Sequence, residues 1–405
     1  MERKYGLLGE KLGQSFSKKI HSLFGEYQYD YYPVDRDGFI ALFKSGELSG
    51  MNVTIPYKEL AYSLCDELSE TAVAAGCVNT VTYRDGVTYG DNTDVFGFMY
   101  MLSRGGISLE GKNVIVLGSG GTSKTARCAA GKLGAKKISV VSRSGEINYD
   151  NVYDLSDTQI VINTTPLGMY PKNGECALDI SRFPLCEGVA DVVYNPLKTK
   201  LMLDAKRLGI KNVGGIYMLV AQAHAAAERF LDESLPEELI ENAVLSILGE
   251  VTNIVLIGMP GSGKTTVGRA LAEKLSKKFY DTDEIISSRT GLPCGELLNK
   301  VGEEKFRELE CEVVAEVSKE TGVVISTGGG VVERAGNRDA LCQNGKICYI
   351  ERELSSLATD NRPLSKNVFD LFEKRKEKYA MFADVKVSNN ACIEETIREI
   401  IQKVQ

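Results

Sequence analysis

The sequence holds only two histidines, His21 and His224, among its 405 residues. A His-rich zinc site is thereby excluded, and proton transfer falls to Lys, Asp or Tyr unless one of these two serves. No stretch reaches the ~18–20 unbroken apolar residues that a membrane helix needs. The opening Met1-Glu2-Arg3-Lys4 runs into Tyr-Gly-Leu-Leu-Gly with no apolar signal core, which predicts a protein that is not secreted. Basic residues are outnumbered: 48 Lys and Arg against 55 Asp and Glu give a net charge of −7, which disfavours a wide nucleic-acid footprint. The ten cysteines form no Cys-x-x-Cys pair and no metal-type spacing. They are expected as reduced thiols of a cytoplasmic protein, packing as small hydrophobes.

What is present reads as ordinary globular protein, 43% hydrophobic and 25% charged. The length predicts two or three domains. Forty glycines punctuate short apolar runs that alternate with helix-like stretches, the pattern of α/β architecture with parallel strands. Two runs, Lys112-Asn-Val-Ile-Val-Leu-Gly118 and Thr252-Asn-Ile-Val-Leu-Ile-Gly258, end in glycine-rich turns followed by helix-like sequence. Each looks like the first strand of a nucleotide-binding unit. The expected organisation is an α/β lobe over 1–105, completed by helical segments at 217–249, a Rossmann-like lobe over 106–216, and a P-loop domain over 250–405. Pro236 to Glu250 reads as a helix ending near Gly249, with almost no linker before the next strand.

The first turn, Gly118-Ser-Gly120-Gly121-Thr-Ser123, resembles a dinucleotide fingerprint with Ser123 in place of the third glycine. Glycines there let a backbone approach a pyrophosphate at a helix N-terminus. The next strand, Lys137–Val141, ends in Ser142-Arg143-Ser144, where an NAD site usually places Asp or Glu. Hydroxyls and a guanidinium suit the 2′-phosphate of NADP(H) instead.

The N-terminal lobe carries four polar clusters: Gln14-Ser15-Phe-Ser17, Asn52-Val-Thr54-Ile-Pro-Tyr-Lys58, Gly76-Cys-Val-Asn79-Thr, and Gly90-Asp-Asn-Thr-Asp94. Singly, each reads as caps, turns or solvated charge. Asn163-Thr-Thr-Pro-Leu-Gly-Met169, Asp191-Val-Val-Tyr194-Asn-Pro and Gly215-Ile-Tyr-Met218-Leu-Val-Ala-Gln222-Ala follow. In this order the set resembles shikimate dehydrogenase over roughly 5–249. The resemblance implies NADPH-dependent reduction of 3-dehydroshikimate to shikimate. It implies that Ser15 and Ser17 bind the substrate carboxylate, and that Thr54, Asn79, Asp94 and Gln222 hold ring oxygens with Tyr194 nearby. Lys58 and Asp94 would be the catalytic pair, and Gly215 and Met218 would lie beside the nicotinamide. Independently, an alkoxide formed by hydride addition needs a proton, which a lysine beside a carboxylate can hold. Only 18 residues separate Ser144 from Asn163, which predicts the loss of a helix from the nucleotide lobe.

The second turn, Gly258-Met-Pro-Gly261-Ser262-Gly263-Lys264-Thr265, fits G-x-x-x-x-G-K-[ST] and is followed by Thr266. Its amides would wrap the phosphates of ATP, with Lys264 on the outer ones and Thr265 on Mg²⁺. Asp281 and Asp283 are expected at i and i+2 on a strand, pointing the same way. One could serve magnesium, the other a substrate hydroxyl. Gly302-Glu-Glu-Lys-Phe-Arg307, Thr327-Gly-Gly329-Gly, Arg362-Pro363 and a late Arg375, sharing a helical face with Tyr379, complete an ordered set resembling shikimate kinase over roughly 252–403. The resemblance implies that Asp283, Arg307, Gly329 and Arg375 bind shikimate. Arg362 would close over the phosphates, Asp281 and Thr265 would serve magnesium, and Asp283 would accept the proton of the attacked hydroxyl. The stretch Leu354–Asn361 is short and lacks the arginine often found before the family's lid.

Together these readings imply a bifunctional enzyme acting on small molecules in consecutive steps of aromatic biosynthesis, with neither nucleic-acid nor membrane partners. A relaxed quinate/shikimate dehydrogenase, a different small-molecule kinase, and one inactive half are the alternatives. Oligomeric state is not legible.

Overall fold

A computed structural model describes residues 3–13, 15–357 and 368–404. Arg362 lies outside the described residues. The chain divides into two compact units, Met1–Ile247 and Leu248–Gln405.

The first unit holds two sheets. Strands β1 (Lys4–Gly9), β2 (Gln28–Pro33), β3 (Gly50–Val53), β4 (Glu67–Leu68), β5 (Thr80–Arg84) and β6 (Val87–Asp91) form the first, in the order β2-β1-β3-β5-β6-β4. This sheet is mixed. Asp85 and Gly86 both take positive φ, and such a two-residue turn folds β5 and β6 into an antiparallel hairpin. The second sheet comprises β7 (Asn113–Leu117), β8 (Lys137–Val141), β9 (Ile160–Asn163), β10 (Gly188–Asp191) and β11 (Lys211–Gly214), in the order β11-β10-β9-β7-β8. All its pairings are parallel. Alternation along β7 and β9 sends Val114, Val116, Ile160 and Ile162 into one core and Ile115, Leu117 and Val161 into another. Such double-sided burial is why parallel strands read as continuous apolar runs. Between β8 and β9 only the 3₁₀ turn Val152–Asp154 forms, so no α-helix occupies that crossover.

Helices Ile216–Leu231 and Glu238–Val251 follow β11. The first returns to the N-terminal sheet, where Ala226 and Phe230 pack with Tyr5, Leu7 and Tyr29. The Tyr5 hydroxyl donates to the Phe230 carbonyl at 2.7 Å. The helix expected to stop near Gly249 instead continues to Val251. Thr252 N–H still bonds the Leu248 carbonyl at 2.9 Å, so the helical ladder outweighs the glycine's weak propensity.

The second unit is one parallel sheet of β12 (Asn253–Ile257), β13 (Phe279–Asp281), β14 (Val324–Ser326), β15 (Gly345–Glu351) and β16 (Val385–Ser388), in the order β13-β14-β12-β15-β16. Ile254, Leu256, Cys348, Ile350 and Val387 pack beneath Val267 and Leu271, and against Ile397 and Ile400. The glycine-rich loop leaves the C-terminal end of β12, where ligands bind in open α/β sheets. Among the described residues no helix is long and apolar enough to cross a membrane.

Candidate active sites

In the first unit a cavity of about 230 Å³ gathers Ser15, Ser17, Thr54, Lys58, Asn79, Asp94, Tyr194, Gly215, Met218 and Gln222. Local structure explains the convergence. β3 ends at Val53, and Lys58 opens the helix Lys58–Leu64; Asp94 sits in the first turn of the helix Thr93–Arg104. That helix crosses Ile216–Leu231 at Gly97, where a Cβ would lie 2.6 Å from the Met218 carbonyl oxygen and 2.9 Å from Gln222 Cβ. Only glycine permits this approach, which draws Asp94 and Gln222 to one cavity.

Lys58 Nζ lies 2.6 Å from Asp94 Oδ2, and both side chains are largely buried. Burial opposes the lysine's charge, but attraction to Asp94 and its hydrogen bond outweigh it and raise the Lys58 pKa. A buried polar net surrounds the pair. Asn79 Nδ2 donates to Thr93 Oγ1 at 3.0 Å and to Gln222 Oε1 at 3.4 Å, while Asn79 Oδ1 accepts from Thr93 N at 2.8 Å. Asn52 receives the Tyr29 hydroxyl at 2.8 Å and donates to Thr80 Oγ1 at 3.1 Å. Ser15 Oγ donates to Ser17 Oγ at 3.0 Å, and the Tyr31 hydroxyl holds the Ser15 carbonyl at 2.6 Å. Burial raises the Tyr194 pKa, keeping the phenol neutral. Asn52, Thr80 and Thr93 were not singled out from sequence, although all three stand inside quoted motifs.

Neither histidine belongs to this cavity. His21 stacks on Tyr29 with ring centroids 4.0 Å apart, its Nδ1 meets the Tyr27 hydroxyl at 2.6 Å, and burial lowers its pKa to about 3. His224 Nε2 lies 3.2 Å from the Pro236 carbonyl oxygen.

The dinucleotide-like turn joins β7 to the helix Gly121–Lys132. Gly118 takes φ +104°, and space beside Gly120 and Gly121 is open. An open, amide-rich turn at a helix start fits a pyrophosphate. Ser123 is buried, and its Oγ has no hydrogen-bond partner. Ser142, Arg143 and Ser144 follow β8, with Arg143 and Ser144 exposed.

In the second unit a cavity of about 700 Å³ is lined by Gly261, Gly263, Lys264, Thr265, Thr266, Asp281, Asp283, Arg307, Gly329 and Arg375, among others. Of the loop residues expected to bind nucleotide, Ser262 alone is not among those lining the cavity. Ser262 is fully buried, and its carbonyl accepts from Asn389 Nδ2 at 2.8 Å. Lys264 is buried, its Nζ donating to the Gly258 and Met259 carbonyls at 3.0 Å each. Thr265 Oγ1 donates to Asp281 Oδ2 at 2.7 Å, a hard-oxygen pair that fits magnesium.

The strand expected to carry both aspartates ends at Asp281. That residue caps the helix Thr282–Thr290, its Oδ1 accepting from Asp283 N at 3.0 Å and Glu284 N at 3.3 Å. Asp283 is therefore helical, and strand alternation does not relate the two carboxylates. An N-terminal Asp satisfies orphan helix amides better than it continues a strand. Both still line the cavity.

Two arginines meet around the glycine run after β14. Arg307 is 4% exposed and donates from Nη1 to Glu310 Oε2 at 2.8 Å. Arg375 Nε donates to Glu333 Oε1 at 2.6 Å, and its Nη1 to the Gly329 carbonyl at 3.3 Å. The Tyr379 hydroxyl donates to that same carbonyl at 2.5 Å. Burial pushes Glu310 up to about 7, against the pull of Arg307. Glu333 is held below its ordinary value: burial works the other way, but Lys378 and Arg375 bind the carboxylate. Glu310 and Glu333 were missed from sequence. The i, i+3 spacing of Glu310 from Arg307 was the available signal.

The folds and sites define a class: a pyridine-nucleotide oxidoreductase unit followed by a P-loop kinase unit. Comparison with known proteins specifies it. The shikimate dehydrogenase substrate-binding domain matches residues 7–81, and shikimate kinase matches residues 260–405. Shikimate dehydrogenase (NADP(+)) of Clostridium perfringens is 36% identical over 262 residues, covering 58% of this chain and 97% of that protein. A chorismate mutase/shikimate 5-dehydrogenase fusion protein from Clostridium acetobutylicum is similar in structure, with TM-score 0.58 and 35% identity over 61% of this chain and 97% of that one. Shikimate 5-dehydrogenase from Listeria monocytogenes, in complex with shikimate and NAD, has TM-score 0.55 and 27% identity over 60% and 96%. The chain belongs to the shikimate dehydrogenase family and carries a shikimate kinase domain behind it, a bifunctional enzyme of the shikimate pathway.

Proposed function

We propose that the first unit reduces 3-dehydroshikimate to shikimate with NADPH, and that the second phosphorylates the 3-hydroxyl of shikimate with ATP. The observation that carries the first half is the Lys58–Asp94 contact of 2.6 Å inside a cavity walled by hydroxyls and amides. Bound NADPH supplies the hydride. Lys58 then gives its proton to the carbonyl oxygen and regains one from solvent, while Asp94 orients the ammonium. Ser15 and Ser17 bind the substrate carboxylate. Thr54, Asn79 and Gln222 take ring oxygens, and Gly215 and Met218 flank the nicotinamide. Arg143, with Ser142 and Ser144, meets the 2′-phosphate.

For the second half, the supporting observation is that one cavity joins the phosphate loop to Asp283, Arg307 and Arg375. Arg307 and Arg375 take the shikimate carboxylate, and Gly329 contacts the ring. Asp283 accepts the hydroxyl proton as the oxygen–phosphorus bond forms and the bond to ADP breaks. Lys264 steadies the outer phosphates, and Thr265 and Asp281 hold Mg²⁺, which neutralises phosphate charge. Arg362 is proposed to close over the phosphates. The compartment we infer is the cytoplasm.

A substrate panel tests both halves. Reduction should favour 3-dehydroshikimate over 3-dehydroquinate and NADPH over NADH. Phosphorylation should favour shikimate over gluconate and nucleoside monophosphates. Equal turnover of the rivals would refute the assignment of either half.

A further inference from the structure

Arg352 lines the kinase cavity, yet neither motif nor comparison assigns it a role. It is the first residue after β15, which pairs with β12 in the register Ile257↔Tyr349. β12 delivers the phosphate loop, so this pairing sets Arg352 beside that loop. The loop is pinned against the same strand: a Cβ at Gly258 would lie 2.5 Å from the Ile350 carbonyl oxygen. Asn389, following the neighbouring strand β16, holds the Ser262 carbonyl at 2.8 Å. Measured from a Cβ built on Gly263, which has φ +92°, Arg352 Nη1 is 3.9 Å away.

The other guanidiniums of the cavity are engaged. Arg307 binds Glu310 and Arg375 binds Glu333, at the glycine-run end. Arg352 forms no salt bridge or hydrogen bond with any described residue, and it is half-buried. A guanidinium held in a cleft without a carboxylate partner among the described residues is matched to an anion brought by the ligand, and its planar fork suits two phosphate oxygens.

We propose that Arg352 is a nucleotide-binding residue that contacts the phosphate chain of ATP and ADP from the β15 side. It rests on reading this cavity as a kinase site, but not on shikimate as the acceptor. The position beside the loop backbone favours phosphate over the adenine ring as its partner.

The test uses the full chain, with fluorescent N-methylanthraniloyl-ADP as probe and unlabelled ADP, inorganic tripolyphosphate and adenosine as competitors. R352A should weaken ADP and tripolyphosphate by about tenfold or more, the scale of a charge-assisted hydrogen bond. Adenosine affinity and the KM for shikimate should stay within twofold, which also reports an intact fold. R352K should recover part of the tripolyphosphate affinity, since charge returns without the fork. Unchanged ADP affinity in R352A would overturn the proposal, as would a loss confined to adenosine. If R352A loses ADP affinity while the unmodified chain fails to phosphorylate shikimate, the acceptor assignment falls and the role of Arg352 stands.

Discussion

Replacing Gly330 with alanine isolates the proposed shikimate-carboxylate site from the rest of the kinase chemistry. Gly330 has φ −98° and ψ 2°, which alanine adopts without strain, so the effect is steric. The added Cβ would lie 2.1 Å from Arg307 Nη1, 2.2 Å from Nη2 and 2.3 Å from Cζ. Ordinary contact begins near 3.4 Å, so the guanidinium must shift by more than about 1 Å. It cannot swing into solvent cheaply, because Arg307 is 4% exposed and tied to Glu310 at 2.8 Å. Losing one charge-assisted carboxylate contact is worth about 1.5–3 kcal/mol, or roughly 10- to 150-fold in kcat/KM for shikimate. Steady-state kinetics with shikimate varied, alongside ADP binding, reads this out. ADP affinity and ketone reduction should remain within twofold. Unchanged shikimate kinetics in G330A would refute the placement of Arg307 against the substrate.

Lys58→Ala should lower ketone reduction by about 10²–10⁴-fold and spare phosphorylation, and Lys264→Ala should do the reverse; loss of both activities from either folded variant would contradict two independent sites. The raised Lys58 pKa means the ammonium persists through neutral pH, and its stabilising pairing is present below its ordinary 10.5 and lost as pH rises through the raised value. In Asp94→Asn burial acts unopposed, so the alkaline fall of the residual reduction rate should move to lower pH; a pH–rate profile with an unmoved limb would count against the pair. Arg143→Ala should weaken NADPH by about tenfold while leaving NADH nearly unchanged, measured as the ratio of their kcat/KM values; equal losses for both would exclude a 2′-phosphate contact.

Much of both sites was legible because several motifs, the phosphate loop at the end of β12 among them, sit where a strand hands over to a helix. Ser15, Asn79, Asp94 and Gln222 lie far apart in sequence but meet in one cavity. What failed was phase and partnership. Asp281 and Asp283 were read as lying on one strand, but the strand ends at Asp281, which caps the next helix, so Asp283 is helical. Glu310 was not singled out because the helix Glu303–Val317 carries several glutamates, of which Glu303 and Glu310 both reach Arg307 and only burial marks Glu310. Glu333 reaches Arg375 across 42 residues. Arg352 follows a strand with no motif, and only the register of β12 against β15 sets it beside the phosphate loop.

In the proposed function one chain makes shikimate and then phosphorylates it. The direct measurement is to incubate the purified chain with 3-dehydroshikimate, NADPH, ATP and magnesium, and resolve the products over time. Transient shikimate followed by accumulation of shikimate 3-phosphate is expected. A product that stops at shikimate would contradict the kinase assignment, and unconsumed 3-dehydroshikimate would contradict the dehydrogenase assignment.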